Sequence, residues 1–143
     1  MTHAYFMFYH SLSNFVIRLI RDSYEANKQR TVFECLVIGC MSYVTAFGEA
    51  LTICAFPYYS FENRYQAYTL GSAFYAIYFF VSYPMFFQLD EQAKAVVKGK
   101  KASPITNWSL PRSAANALAA SMAVLCLLDF VRLFLRVELF VGY

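Results

Sequence analysis

The chain has 143 residues, 59% hydrophobic and only 15% charged, with a mean hydropathy of +0.42. Water-soluble domains sit near half apolar and a quarter charged, so this composition excludes an ordinary soluble domain and points to a bilayer. The net charge of +3 is small, and where the charges fall says more than their sum.

Four apolar runs follow one another, near Ala4–Ile20, Cys35–Phe56, Ala67–Phe87 and Ser113–Val137. A helix crossing a membrane needs about 20 such residues. The length allows one domain, so the expected fold is all-α, a polytopic membrane bundle of four transmembrane helices. The first run is the shortest and most polar, and its positive charges come after the apolar stretch, unlike a signal peptide. Cys35, Cys40, Cys54 and Cys126 form no CxxC pair and no zinc-type cluster. All four fall inside apolar runs and are expected to be small packing residues.

The connections differ in charge. The first holds Arg18, Arg21, Lys28 and Arg30, and the third holds Lys94, Lys98, Lys100, Lys101 and Arg112. The second has only Arg64. The excess of Lys and Arg puts connections one and three in the cytosol. Phe56, Tyr58, Tyr59, Phe61, Tyr65 and Tyr68 then form an aromatic belt at the opposite interface. The Lys98–Lys101 run fits anionic lipid. No nucleic-acid motif accompanies it, so the expected partners are the lipid bilayer and a molecule dissolved in it.

Positions three, four and seven apart share a helix face. On the second run Glu49 shares its face with Ser42, Thr45, Ala46 and Thr52, opposite Leu36, Val37, Cys40, Val44, Phe47 and Leu51. Glu49 is therefore expected to face the bundle. His10 and Asn14 align on the first run, and Tyr68, Ser72, Tyr75, Tyr78 and Ser82 on the third. On the fourth, Met122, Leu125, Cys126, Asp129, Arg132 and Arg136 align. Glu49 and Asp129 lie ~7 Å and ~6 Å beyond the middle of their runs, at 1.5 Å per residue. Glu49, Asp129, His10 and Tyr75 are thus expected to meet in one cavity.

An ionised side chain at this depth costs ~2.5–3.5 kcal/mol on insertion scales, so these residues are functional candidates. Glu49 has no cation within a turn of its own helix and is expected to be held neutral, as a proton donor. His10 and Asp129 are candidate bases, and Tyr75, Tyr78, Ser42 and Thr45 candidate substrate contacts. No metal site is expected. The structural alternative is a polar clamp between helices, which Asp129 with Arg132 suits at least as well.

Four stretches carry a resemblance to a known family. THAYFMFYH, FGEALTICAFPYYSFENR, GSAFYAIYFFVSYPMFFQLDE and LLDFVRLFL resemble the C-terminal part of the cycloeucalenol cycloisomerase family, from Thr2 to about Leu135. The resemblance implies that 1–143 is a single membrane domain matching part of a longer enzyme, whose membrane-embedded N-terminal part is a missing partner. The connection from Gln92 to Trp108 is longer than the resemblance leads one to expect, and Asn63 stands where an acid is expected before Arg64. The implied reaction belongs to sterol biosynthesis in the endoplasmic reticulum. The 9β,19-cyclopropane of cycloeucalenol opens to give obtusifoliol, with a Δ8 double bond. That chemistry needs an acid for C19, tolerance of cationic character near C9, and a base for the C8 proton, with no redox cofactor or metal. Two other functions fit the same residues: a Δ8–Δ7 sterol isomerase, and a non-catalytic membrane subunit or transporter half using Glu49 and Asp129 as an ion relay.

The charge asymmetry predicts that protease or glycosylation mapping in sealed membranes will place Lys98–Lys101 on the cytosolic side. Placement of that run in the lumen would overturn the orientation.

Overall fold

A computed structural model of the protein describes residues 2–58, 60, 63–97 and 109–136. Its long helices are α1 (Thr2–Ser23), α2 (Lys28–Ala55), α4 (Ser72–Val97) and α5 (Leu110–Leu135). A single helical turn, α3 (Arg64–Gln66), runs through a π-helical turn (Ala67–Gly71) directly into α4. The protein is an all-α membrane helix bundle. Among the described residues, three stretches are long and apolar enough to cross a membrane: Lys28–Ala55, Arg64–Glu91 and Leu110–Phe134. α1, at 22 residues, is long enough but more polar, in line with its composition.

The helix ends follow from local chemistry. Asn27 caps α2, its side-chain oxygen accepting from the Arg30 backbone N–H at 2.7 Å. Asn63 does the same for α3, accepting from the Gln66 N–H at 3.1 Å. Asn and Asp cap helices about equally well, so Asn63 meets a structural need that an acid there would also meet. Pro111 opens α5, where a missing N–H costs nothing. Arg136 closes it in a left-handed conformation, φ 49°.

The core lies where α2, α4 and α1 meet. Ile17 of α1, Ile38 and Ala46 of α2, and Phe79, Tyr83 and Phe87 of α4 form one buried cluster. The small residues Ser42 and Ala46, both essentially without exposed surface, let α2 approach the aromatic face of α4 closely, as membrane helix contacts favour. Leu36, Val44 and Leu51 lie on the exposed side of α2, opposite the buried Ser42 and Ala46 as the sequence indicates, but Thr52, expected to share the inward face, is exposed, and Val37 and Phe47 are half-buried.

Ion pairs tie the helix ends at one side. Arg18 near the end of α1 donates to Asp90 (2.9 Å) and Glu91 (2.6 Å) of α4, and Arg21 donates to Glu34 of α2 (2.6 Å). Both guanidinium groups lie over the Phe87 ring, Arg21 at 4.6 Å and Arg18 at 5.8 Å from its centroid. The hydrogen bond it donates to Glu34 raises the Arg21 guanidinium above its ordinary value. α1 and α4 are thus parallel and α2 antiparallel to both. The acids do not remove the orientation signal, because topology follows Lys and Arg rather than net charge.

Three expectations change. Of the four cysteines, only Cys54 is buried, while Cys35, Cys40 and Cys126 are exposed. In the aromatic belt Phe56, Tyr58 and Tyr65 are exposed, but Tyr68 is half-buried, its ring 6.1 Å from that of Phe47 on α2; Tyr59 and Phe61 lie outside the described residues, as does the Lys98–Lys101 run. On α5 the face packed against the bundle is the small-residue side around Val124, not the side bearing Asp129.

Because Ala46 has no free surface against Phe79 and Tyr83, Ala46→Leu is expected to cost ~1–3 kcal/mol through overpacking. Thermal unfolding in detergent should show a lowered midpoint, whereas Val44→Leu on the exposed face should leave it unchanged.

Candidate functional site

Polar side chains inside the bundle gather at two levels between α1, α2 and α4. At mid-bundle, His10 of α1 is buried. Its Nδ1 lies 2.8 Å from the Phe6 carbonyl oxygen. A carbonyl only accepts, so Nδ1 carries the proton. Nε2, 3.0 Å from Ser82 Oγ on α4, is then the basic nitrogen of the neutral ring, accepting the Ser82 hydroxyl proton. Aromatic rings enclose the imidazole: Phe6 at 4.4 Å, Tyr83 at 5.1 Å and Phe86 at 5.2 Å between centroids. One turn along, the buried Asn14 Oδ1 has no hydrogen-bond partner among the described residues.

At the same level Tyr83 of α4 donates its hydroxyl proton to Thr45 Oγ1 of α2, at 2.9 Å. Nearer the Ala55 end of α2, Glu49 sits one turn beyond Thr45. It is half-buried, and its carboxyl group lies near the Tyr75 hydroxyl of α4. The hydroxyls of Tyr9 on α1 and Tyr83 on α4 lie within electrostatic reach of the same carboxyl. Glu49 therefore faces three tyrosines drawn from two other helices. Its own backbone carbonyl accepts from Thr52 Oγ1 at 2.8 Å.

The remaining candidates are placed differently. Ser42 is buried, but its hydroxyl donates to the Ile38 carbonyl of its own helix at 2.7 Å, so it acts by size more than by polarity. Tyr78 is 47% exposed and touches the group only through the Tyr75 ring, 5.9 Å away. Asp129 and Arg132 are both exposed on α5, and among the described residues neither forms a hydrogen bond or an ion pair. The structure thus brings Glu49, Tyr75 and Thr45 to one site with His10 at its edge, and leaves Asp129 apart from it.

Tyr9, Tyr83 and Ser82 complete the group. Ser82 was legible as part of the polar face of α4. Tyr83 was not, although Ser72, Ala76, Phe79, Tyr83 and Phe87 repeat at three- and four-residue spacing. α4 is aromatic on all sides, and a helix apolar all round does not announce which face is inward.

No protein-family model matches the chain, and no solved structure matches it. Among curated proteins, a cycloeucalenol cycloisomerase of Arabidopsis thaliana is 41% identical over 137 residues, which is 94% of this chain and 45% of that protein. The chain therefore spans about half the length of the curated relative it matches.

The Tyr83–Thr45 bond predicts a specific energetic pattern. Thr45→Val leaves a buried hydroxyl unpaired and should cost ~1–3 kcal/mol, while Tyr83→Phe removes the donor for only ~0.5–1.5 kcal/mol. In a double-mutant cycle read by detergent denaturation, the two losses should fall short of additive. Strict additivity would mean that the bond does not form. Over 94% of its length the chain is a sequence relative of cycloeucalenol cycloisomerase.

Proposed function

We propose that the chain forms the proton-transferring part of a sterol isomerase that opens the 9β,19-cyclopropane of cycloeucalenol, in the endoplasmic reticulum membrane. The observation that carries this reading is the placement of one membrane-level carboxyl, Glu49, against the Tyr75 hydroxyl with Tyr9 and Tyr83 close by. The 41% identity supplies the substrate class.

The chemistry assigns each group a step. Glu49, protonated, gives its proton to C19 as the C9–C19 bond breaks and positive charge develops at C9. The Tyr75 hydroxyl then donates a hydrogen bond to the carboxylate left behind, which lowers the cost of the transfer. The faces of the surrounding tyrosine and phenylalanine rings attract the cation by ~0.5–2 kcal/mol. Loss of the C8 proton to a base forms the Δ8 double bond. One proton enters and one leaves, so substrate and product are isomers and nothing is oxidised or reduced. His10 suits the base, because its neutral Nε2 opens toward Ser82, whose hydroxyl can relay the proton. Asp129 is the less favoured base, since it points away from this group.

Glu49→Gln keeps the size and a polar head near Tyr75 but has no acidic proton to transfer. General acid catalysis contributes ~10²–10⁴-fold, and conversion should fall by that factor when 1–143 is expressed with the rest of the Arabidopsis relative and fed cycloeucalenol. The expected baseline is no turnover by 1–143 alone. Wild-type turnover by the Gln variant would reduce Glu49 to a clamp between helices.

A further inference from the structure

His10, Asn14 and Arg18 follow one another at intervals of four along α1, so they share one face of the helix. Two of them bond across to α4. His10 Nε2 is 3.0 Å from Ser82 Oγ, and Arg18 donates to Asp90 at 2.9 Å. Both links join residues 72 apart, which fixes the register of the two parallel helices over this stretch. Asn14 therefore stands midway between the links, roughly 6 Å from each along the axis. His10 and Asn14 are 4% and 7% exposed, whereas the side chains of Arg18 and Asp90 are 36% and 32% exposed. The face thus runs from a closed interior to an open, charged end, where Arg21, Glu34 and Glu91 also lie.

Asn14 Oδ1 is buried there without a hydrogen-bond partner among the described residues. Proteins satisfy such an oxygen with an internal water or a ligand group. One water, with a hydrogen bond of ~2.8 Å on each side, reaches on the order of 5–6 Å. A water on either side of Asn14 is therefore enough to join it to His10 and Ser82 in one direction and to Arg18 and Asp90 in the other. Chains of histidine and carboxylate groups inside membrane bundles mark proton relays. The proposed reaction needs one, because a base that takes the C8 proton must lose it before the next turnover.

We propose that this face of α1 and its partners on α4 form a water-bearing proton path from His10 to the Arg18–Asp90 end of the bundle. Nε2 passes its proton to Ser82 Oγ as the Ser82 hydroxyl gives its own to the neighbouring water. Water beside Asn14 hands a proton on to the Asp90 or Glu91 carboxylate, and so to solvent. N–H and O–H bonds alone are exchanged, each proton lost at one atom being gained at the next. Asn14 carries no proton. Its oxygen holds the water, which makes it a positioning residue. The use of the path in turnover rests on the reading of His10 as the base, but its water belongs to the bundle with or without substrate.

The chain has two histidines, so a His3→Gln background with ring-labelled histidine isolates His10 for solid-state NMR of chain 1–143 in lipid bilayers. Magnetisation transfer from water should reach the His10 ring. Asn14→Leu, of similar size, should slow its build-up on the order of fivefold, because a site without polar partners stays dry. Asn14→Ser should restore it. Unchanged shifts of the ring nitrogens, which the Phe6 carbonyl and Ser82 set, show that the Leu variant is folded. No transfer to His10 in the bundle with Asn14 intact, or equal transfer in the folded Leu variant, would overturn the path. Joined by the rest of the Arabidopsis relative and fed cycloeucalenol, Asn14→Leu should lower kcat severalfold and leave KM unchanged. An unaltered kcat beside a dry His10 ring would overturn the proton role. The NMR measurement requires no sterol turnover, so its failure is separable from a failure of the Glu49 and His10 assignments.

Discussion

Ala46 of α2 has no exposed surface and lies in one buried cluster with Phe79 and Tyr83 of α4, and that close approach of the two helices conditions the rest of the bundle. A larger side chain would hold the two helices apart. The Tyr83 hydroxyl could then not reach Thr45, nor the Tyr75 hydroxyl Glu49. In a bilayer the hydrophobic effect does little to bring helices together, and packing with interhelical hydrogen bonds does the work. Small residues on α2 and large aromatic ones on α4 divide that work: one provides room, the other provides surface and hydroxyl groups.

The same constraint explains how the polar side chains are arranged. A buried polar group without a partner is costly, and three solutions appear. Ser42, Thr69 and Ser121 donate to carbonyls four residues back on their own helices, and Ser13 to one three residues back. His10 combines one local bond with one across helices. Thr45 and Tyr83 bond to each other across helices, and the Glu49 carboxyl lies near the Tyr75 hydroxyl of α4. This last group both orients α2 against α4 and leaves its protons on groups that can exchange them. Stability and chemistry thus draw on the same contacts, and a clamp and an acid are two descriptions of one carboxyl that differ in whether its proton moves.

What could be read beforehand depended on contrast within each helix. α2 carries apolar residues on one side and small or polar ones on the other, so the inward direction of Ser42, Thr45 and Glu49 was legible. α1 gave His10 and Asn14 for the same reason. α4 lacked that contrast: Tyr75 was found as part of a polar face, but Phe79 and Tyr83, among its most buried residues, were indistinguishable from lipid-facing aromatics. The π-helical turn at Ala67–Gly71 also resets the helix face between Tyr68 and Tyr75, which no fixed period anticipates. The ion pairs from Arg18 to Asp90 and Glu91 join positions more than 70 residues apart and require knowing that α1 and α4 run parallel.

α5 shows why polarity alone misdirects. Charge on a membrane helix argues for an inward face, and that reasoning turned Asp129 toward Glu49. α5 has two distinct sides, however: a small-residue side around the buried Val124 and an exposed side bearing Met122, Asp129 and Arg132. A neighbour can cover only one of them. α4 takes the small side, because its bulky aromatic residues need a partner with little side chain, and the charged side is left turned outward. The inference from charge to burial was sound in kind. It identified a polar face, and whether that face turns inward depends on the shapes of the neighbouring helices, not on the charge itself.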